Sequence, residues 1–325
     1  MRSFGRTLAA FAALVASVLT IAPAAAEYPD RPVKIIVPFA AAGPTDIMAR
    51  FIAQKLSDKF SQQFYIENLA GAGGNIGTVN AARAAADGYT ILIASSSYVV
   101  NPSLYKNCPY DPDRDFAPVT LAAVTPNVLI VHPTVAANSA KELIGLIKAK
   151  PNTYAFASPG VGTTPHLASE LFKVTYHLDL ALATYRGGGP AVQAVVAGET
   201  PMAFIAMTSA TQFVKTGALR ALAVTSDQRS TALPDVPTSA EAGISGQESE
   251  TMQGVFVPKG TPQPIVDLLQ REIAAIVAMP DVAPKMLALG FEPRGSSSTA
   301  FAAYVKADIA KWKRVIQEAE IPQIE

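Results

Sequence analysis

The chain has 325 residues, 26 Lys and Arg against 26 Asp and Glu, and half of its residues are hydrophobic. A neutral balance leaves no electrostatic footprint for nucleic acid or an anionic membrane surface. The single cysteine, Cys108, excludes an intrachain disulfide and a cysteine-based metal site, and the length points to two domains.

Residues 1–26 read as a cleavable signal peptide: Arg2 and Arg6, an apolar run from Leu8 to Ile21, then Ala24-Ala25-Ala26 ahead of the cut. The run falls short of the roughly 18 to 20 residues that span a bilayer. Its removal leaves 24 Lys and Arg against 26 Asp and Glu, a charge of about −2. An exported, soluble, periplasmic protein is expected.

Strand-type and helix-type runs then alternate, the pattern of α/β layers with largely parallel sheets. "VKIIVPF" (33–39) is a buried-strand run, and "DIMARFIAQKLSDKF" (46–60) carries one apolar helix face through Ile47, Met48, Phe51, Ile52, Leu56 and Phe60. "FYIEN" (64–68), a glycine loop and a helix to about Ala86 repeat the unit, and "YTILIASSS" (89–97) follows as a strand. "YAFASPGVGTTPHLASELFK" (154–173) and "LALATYRGGGPAVQAVVAGE" (180–199) repeat the same strand–loop–helix order roughly 115 to 120 residues later. Two lobes of one plan are expected: lobe 1 from 27–130 plus 253–325, lobe 2 from 131–252. "NVLIVHP" (127–133) and "TMQGVFVPKGTP" (251–262) carry the chain across and back, and helices at 264–278, 281–289 and 299–319 return to lobe 1. Two crossings make a hinge, and a hinge makes a cleft.

The loops that open the helices carry the chemistry. Pro44, Pro165 and Pro190 sit where a first helical residue is expected, behind Gly43, Thr164 and Gly189 as N-caps; Asn75 caps the fourth helix. In an open parallel sheet such loops lie at the ligand-binding ends of the strands. Each helix N-terminus offers unpaired N–H groups and about half a positive charge, which suits a carboxylate or a phosphate. Gly71, Gly73 and Gly74 allow close backbone approach, and Ser95, Ser96, Ser97, Ser158, Thr163 and Thr164 add neutral hydroxyls. Arg186, the one cation in these loops, is either a clamp on a second carboxylate or a solvated surface residue. Asp46 reads as a partner of its own helix dipole, Phe39 as core or cleft wall, and His166 as a cleft residue or a capped surface histidine.

Nothing in the sequence supports an enzyme or a cofactor. "GAGGNIG" (71–77) breaks the dinucleotide fingerprint, since Ile76 stands where the third glycine belongs and no acidic residue follows about 20 positions on. The Gly-Lys-Ser/Thr of a phosphate loop and the G-x-S-x-G elbow are both missing. His132, His166 and His177 do not stand at metal-ligand spacings.

"YPDRPVKIIVPFAAAGPTD" (28–46), "ENLAGAGGNIG" (67–77), "ADGYT" (86–90), "NPSLY" (101–105), "YDPDRDFAPVT" (110–120), "LRALAVTSDQRSTALPDVPTSAEAG" (219–243) and "VPKGTP" (257–262) run in order along the mature chain. With these motifs it resembles the extracytoplasmic solute receptors of the tripartite tricarboxylate transporter, the Bug receptors (Bordetella uptake gene family). The resemblance implies a two-lobed class II periplasmic-binding-protein fold, a flytrap of mixed sheets flanked by helices. It implies that the loops matching 39–46 and 71–75 hold a carboxylate, which brings in Phe39, Ala42, Gly43, Thr45, Asp46, Ala72, Gly73, Gly74 and Asn75. Ser96 and Ser97 adjoin them. The other lobe closes with loops matching 158–166 and 185–189, which bring in Ser158, Thr163, Thr164, His166, Tyr185, Arg186 and Gly187.

The sequence departs from the family pattern at Ala42, where a glycine is usual, and at Pro44, which removes an N–H. Arg186 replaces a usual Lys, and Pro201 and Ile205 replace common Asp residues. Losing those acids disfavours a ligand with an ammonium group, so a dicarboxylate or an aromatic acid without an amino group is expected. The implied partners are the large and small membrane subunits of an ion-gradient-driven permease, with the receptor itself a monomer. The alternative role is a periplasmic sensor that presents its carboxylate-bound form to a signalling partner.

Overall fold

The computed structural model describes residues 28–41, 43–151, 153–185 and 187–325. The expected signal peptide, residues 1–26, and the expected site residues Ala42 and Arg186 lie outside the described residues.

Strand β1 (Val33–Val37) lies between β2 (Phe64–Asn68) and β3 (Thr90–Ala94), parallel to both. Its β-branched run suits a strand covered on both faces. Val33, Ile35 and Val37 pack with Met48, Ile52 and Leu56 of helix α1 (Pro44–Phe60), whereas Ile36 turns to a second cluster with Tyr98, Phe256 and Trp312. Each such fully buried side chain contributes about 1.5–3 kcal/mol. Met48, Ile52 and Leu56 stand four apart, so they share one stripe of the helix.

Helix α2 (Asn75–Ala82) follows the glycine loop, and α3 (Ser97–Leu104) follows β3. The sequence reading kept 95–97 in a strand and assigned no helix after it. Tertiary packing overrides the β-branched pair here, because Tyr98, Val99, Val100 and Leu104 are all buried in the second cluster.

After α4 (Pro112–Asp115) comes β4 (Phe116–Val131), sixteen residues long and shared by both halves of the molecule. Phe116–Pro126 pairs antiparallel with β9, and Asn127–Val131 pairs antiparallel with β7 and β8. Register shifts at Pro118/Thr120 and Leu121/Ala123 mark bulges that bend the strand.

The second half comprises α5 (Ala140–Ala149), β5 (Ala155–Ser158), α6 (Thr164–Tyr176), β6 (Ala181–Thr184), α7 (Gly188–Val196), β7 (Met202–Ala206), α8 (Met207–Lys215) and β8 (Arg220–Val224). Strand β9 (Glu250–Pro258) returns to the first half. There α9 (Gln263–Val277), α10 (Ala283–Ala288), β10 (Glu292–Pro293) and α11 (Ser298–Glu318) complete the chain. The strand order is β2-β1-β3-β9-β4-β7-β5-β6, with β8 and β10 also on β4. The closing helices pack on the first half, Val266, Leu269 and Ile273 in one buried cluster of its sheet and Phe301, Trp312 and Ile316 in the other.

The two halves touch beyond their shared strands. Leu167 and Leu171 of α6 belong to the same buried cluster as Leu104, Trp312 and Ile316.

Candidate functional site

The glycine loop is the most constrained backbone near the cleft. Gly71, Ala72, Gly73 and Gly74 all have positive φ, a left-handed run that favours glycine. The carbonyl oxygen of Gly71 accepts from the Gly74 N–H at 2.9 Å, and α2 starts at once. Its N-cap is therefore Gly74, and Asn75 is the first helical residue instead of the cap. The other expected caps shift the same way, because Thr163 caps α6 and Gly187 caps α7 in place of Thr164 and Gly189. Thr163 Oγ1 takes the His166 N–H, so the cap goes to the residue whose hydroxyl reaches a free donor. Pro44 is the first residue of α1, as expected, behind Gly43.

A cavity of about 280 Å³ opens where these helices begin. Its wall takes Gly43, Pro44 and Thr45 from α1, Ser96 and Ser97 from α3, Thr163, Thr164 and Pro165 from α6, Gly188 from α7, and Ala206 and Ser209 at α8. Five helices thus begin at one space and turn their positive dipole ends to it. Phe39, Leu104, Val161 and Ile205 supply apolar wall, and Gly73, Asn101, Tyr105, Thr251 and Gln253 complete the polar part. No charged side chain lines the cavity among the described residues. The field that would attract an anion comes from backbone dipoles, which hold any compact oxyanion without fixing its chemistry.

Of the expected site residues, Phe39, Gly43, Thr45, Gly73, Ser96, Ser97, Thr163 and Thr164 meet at this cavity. The other described ones stand behind it or beside it. Asp46 is 1 % exposed and is engaged: Arg50 Nε and Nη2 donate to its carboxylate at 2.8 and 3.0 Å, and Asn68 Nδ2 donates at 2.9 Å. Asn68 also reaches the Phe39 carbonyl oxygen at 3.1 Å, so Asp46 fixes the loop that carries the wall residue. Gly74 packs under Phe39 and Ser97, and a Cβ there would lie 3.3 Å from each. Ala72 and Asn75 border a separate groove with Ile76 and Arg83.

Ser158 is fully buried, Tyr185 turns its hydroxyl to Thr200 at 3.2 Å, and Gly187 caps α7. His166 lies in a different hollow, against Glu170, Lys173 and the carboxyl-terminal segment 319–324. Burial there pushes its imidazole pKa below the ordinary value; nearby Glu170 raises it and Lys173 lowers it further.

Two hydroxyls on the wall already have partners. Ser96 Oγ accepts from Met252 N–H at 2.9 Å and donates to the Glu250 carbonyl oxygen, which ties α3 to β9. Thr164 Oγ1 hydrogen-bonds Thr251 Oγ1, a link from α6 to β9. Sequence reading missed Asn101, Tyr105, Thr251, Gln253 and Ser209. One signal for Gln253 was present: it is a lone amide within the apolar run "TMQGVFV" (251–257). Among the described residues no cluster of three His, Cys, Asp or Glu is arranged for a metal, and no helix is long and apolar enough to cross a membrane.

Two α/β halves joined through shared strands, with helix N-termini facing one cleft, define a solute-binding receptor of the periplasmic type. The family described as "Tripartite tricarboxylate transporter family receptor" (TctC) matches residues 48–321. The chain belongs to this family, and it is a Bug-type receptor, not an enzyme. It is 36% identical over 316 residues to Protein BugT of Bordetella pertussis, covering 96% of this chain and 97% of BugT. Rpa4515 of R. palustris, solved with adipate, superposes with a TM-score of 0.83 at 33% identity over 92% of this chain and 100% of that one. MatC of Rhodopseudomonas palustris, solved with bound malate, gives 0.77 at 29% identity over 89% and 100%. Receptors of this family are periplasmic.

Proposed function

We propose that the chain captures an organic carboxylate in the cavity and delivers it to the large and small membrane subunits of an ion-gradient-driven permease. One observation carries this reading: helix N-termini converge on a cavity whose described wall holds no charged side chain. Helix N-termini favour a compact oxyanion, a carboxylate or a phosphate. The adipate of Rpa4515 and the malate of MatC support an acid of this kind. Apolar wall from Phe39, Leu104, Val161 and Ile205 favours a dicarboxylate with a hydrocarbon centre, or an aromatic acid, without an amino group. Ile205 in particular offers an ammonium group no counter-charge.

Lobe 1 is assigned to 27–130 plus 253–325 and lobe 2 to 131–252, so that β4 and β9 form the hinge on which the cleft closes. Residues 1–26 are assigned as the export signal. Phe39, Gly43, Thr45, Gly73, Ser96, Ser97, Thr163 and Thr164 are assigned as the binding region, with Arg186 as a clamp for a second carboxylate.

The test is thermal unfolding of the mature protein with adipate, malate, succinate, benzoate, glutamate and glucose. Binding raises the unfolding temperature by linkage. A rise with at least one of the acids without an amino group, and none with glucose, is expected; a rise with glucose alone overturns the reading. For the clamp, Arg186→Ala should weaken adipate far more than hexanoate, and equal losses remove Arg186 from the site. Loss of uptake on deletion separates transport from a sensing role.

A further inference from the structure

Strand β9 changes character along its length, and the change marks a residue with no structural employment. Alternate residues of a strand share a face. Thr251, Gln253, Val255 and Val257 therefore point one way, and Met252 and Phe256 the other, into the cluster under α11. Val255 and Val257 enter the core of the first half, while Thr251 and Gln253 stand on the cavity wall.

Thr251 has its partner in Thr164. Gln253 has none among the described residues: it is wholly buried, and neither its amide nitrogen nor its amide oxygen makes a hydrogen bond to them. A buried amide without partners is unfavourable, and native proteins seldom retain one at a place where a leucine or methionine would pack. Ser96 and Thr164, the wall hydroxyls bound to β9, pair with Glu250, Met252 and Thr251 and not with Gln253.

An amide presents a donor and an acceptor side by side. Its complement is a neutral group that also donates and accepts, namely a hydroxyl. A second carboxylate would satisfy the nitrogen only and set its negative oxygens against the amide oxygen. An unsubstituted hydrocarbon would satisfy neither.

We propose that Gln253 is the specificity-determining residue of this site, and that the solute is a hydroxy-substituted carboxylate whose hydroxyl pairs with the Gln253 amide. The proposal rests on the carboxylate reading above. The helix N-termini hold the carboxylate, and Gln253 reads what the rest of the molecule carries.

Titration calorimetry on the mature protein with two matched pairs, malate against succinate and 4-hydroxybenzoate against benzoate, tests it. In the wild type, the hydroxylated member of at least one pair should bind about tenfold or more tighter than its parent. Gln253→Met, close in length and without hydrogen-bonding capacity, should erase that preference, the hydroxylated acid losing about tenfold relative to its parent. The unfolding temperature of the ligand-free variant should match or exceed the wild type, because an unpaired polar group has been removed; Gln253→Leu is the second variant should Met pack poorly.

A preference that survives in both variants, an equal loss for both members of a pair, or no preference in the wild type overturns the assignment and leaves the receptor reading standing. In those cases Gln253 is held by internal water alone. Binding of none of the four acids overturns this inference, while the carboxylate reading stands or falls on the thermal unfolding test above.

Discussion

The side-chain nitrogen of Asn101 donates to Asn75 Oδ1 at 2.7 Å, and both residues are buried. The same nitrogen reaches the Gly73 carbonyl oxygen at 3.0 Å. One amide of α3 therefore holds both ends of the turn between the glycine loop and α2, and it does so on the cavity wall. The loop's left-handed backbone is fixed from outside by a residue nearly thirty positions further along the chain.

Asn101→Ala leaves the buried Asn75 side chain as an acceptor without a donor and removes the hydrogen bond to the carbonyl of the exposed Gly73. The expected cost is about 1–3 kcal/mol in denaturant unfolding. Affinity for a carboxylate should fall as well, since the loop's N–H groups lose their fixed direction. Unchanged affinity for adipate or benzoate, alongside the stability loss, would restrict Asn101 to a structural role.

Gly77 sits in α2, where alanine has the higher helix propensity by about 1 kcal/mol. Packing reverses that preference. A Cβ there would lie 2.8 Å from the Leu69 carbonyl oxygen and 2.8 Å from Pro38 Cα, both backbone atoms that cannot swing aside. Gly77→Ala should destabilise the protein by about 1–3 kcal/mol. Equal or greater stability would mean that α2 slides freely on β1 and β2.

Glu250 stands where β9 enters the first half, opposite Pro126 of β4. Burial pushes its carboxyl from the ordinary 4.5 up to about 7; Arg294 opposes the shift, and Glu292 and Asp227 assist it. Arg294 is a poor counter-ion for it, 3.5 Å from Glu250 but 3.0 Å from Glu292. The folded state therefore keeps a proton that the unfolded chain releases. The stability from this group is fully present below pH 4.5 and is lost as the pH rises through 7. Glu250→Gln should gain on the wild type across that window and stay ahead of it at pH 8. Parallel pH profiles of unfolding free energy would show that Glu250 ionises freely.

His166 works in the opposite direction. Its imidazole is buried, Nδ1 lacks a hydrogen-bond partner, and burial holds its pKa below the ordinary 6.5. Its contribution is full above pH 6.5 and is lost as the pH falls through the folded-state value. His166→Leu should flatten the acid limb of the stability curve below pH 6.5 and match or exceed the wild type at pH 8. Imidazole titration followed by NMR supplies the direct check, and a midpoint at or above 6.5 removes the argument.

Local patterns made much of this fold legible. "VKIIVPF" signals a strand covered on both faces because β-branched residues recur without a polar face. The repeated strand–loop–helix units signal two similar halves, and glycines and prolines ahead of helices signal N-termini suited to an anion. Each of these depends on the backbone preferences of a few neighbouring residues. Helix α3 escaped because its strand-like valines are helical only through burial under α11, a contact across about 200 residues.

The site divides along the same line. Sequence by itself determined that glycine-rich, hydroxyl-bearing loops open helices and that the family's motifs are present. Tertiary structure decided which residues share the cavity: it turned Asp46 inward to Arg50 and Asn68, set His166 in another hollow, and drew Asn101, Thr251 and Gln253 to the wall. The physical reason is that a helix N-terminus is a local property of the chain. A cavity wall is made of surfaces from distant strands and helices, and only their packing determines which side chains are left facing it.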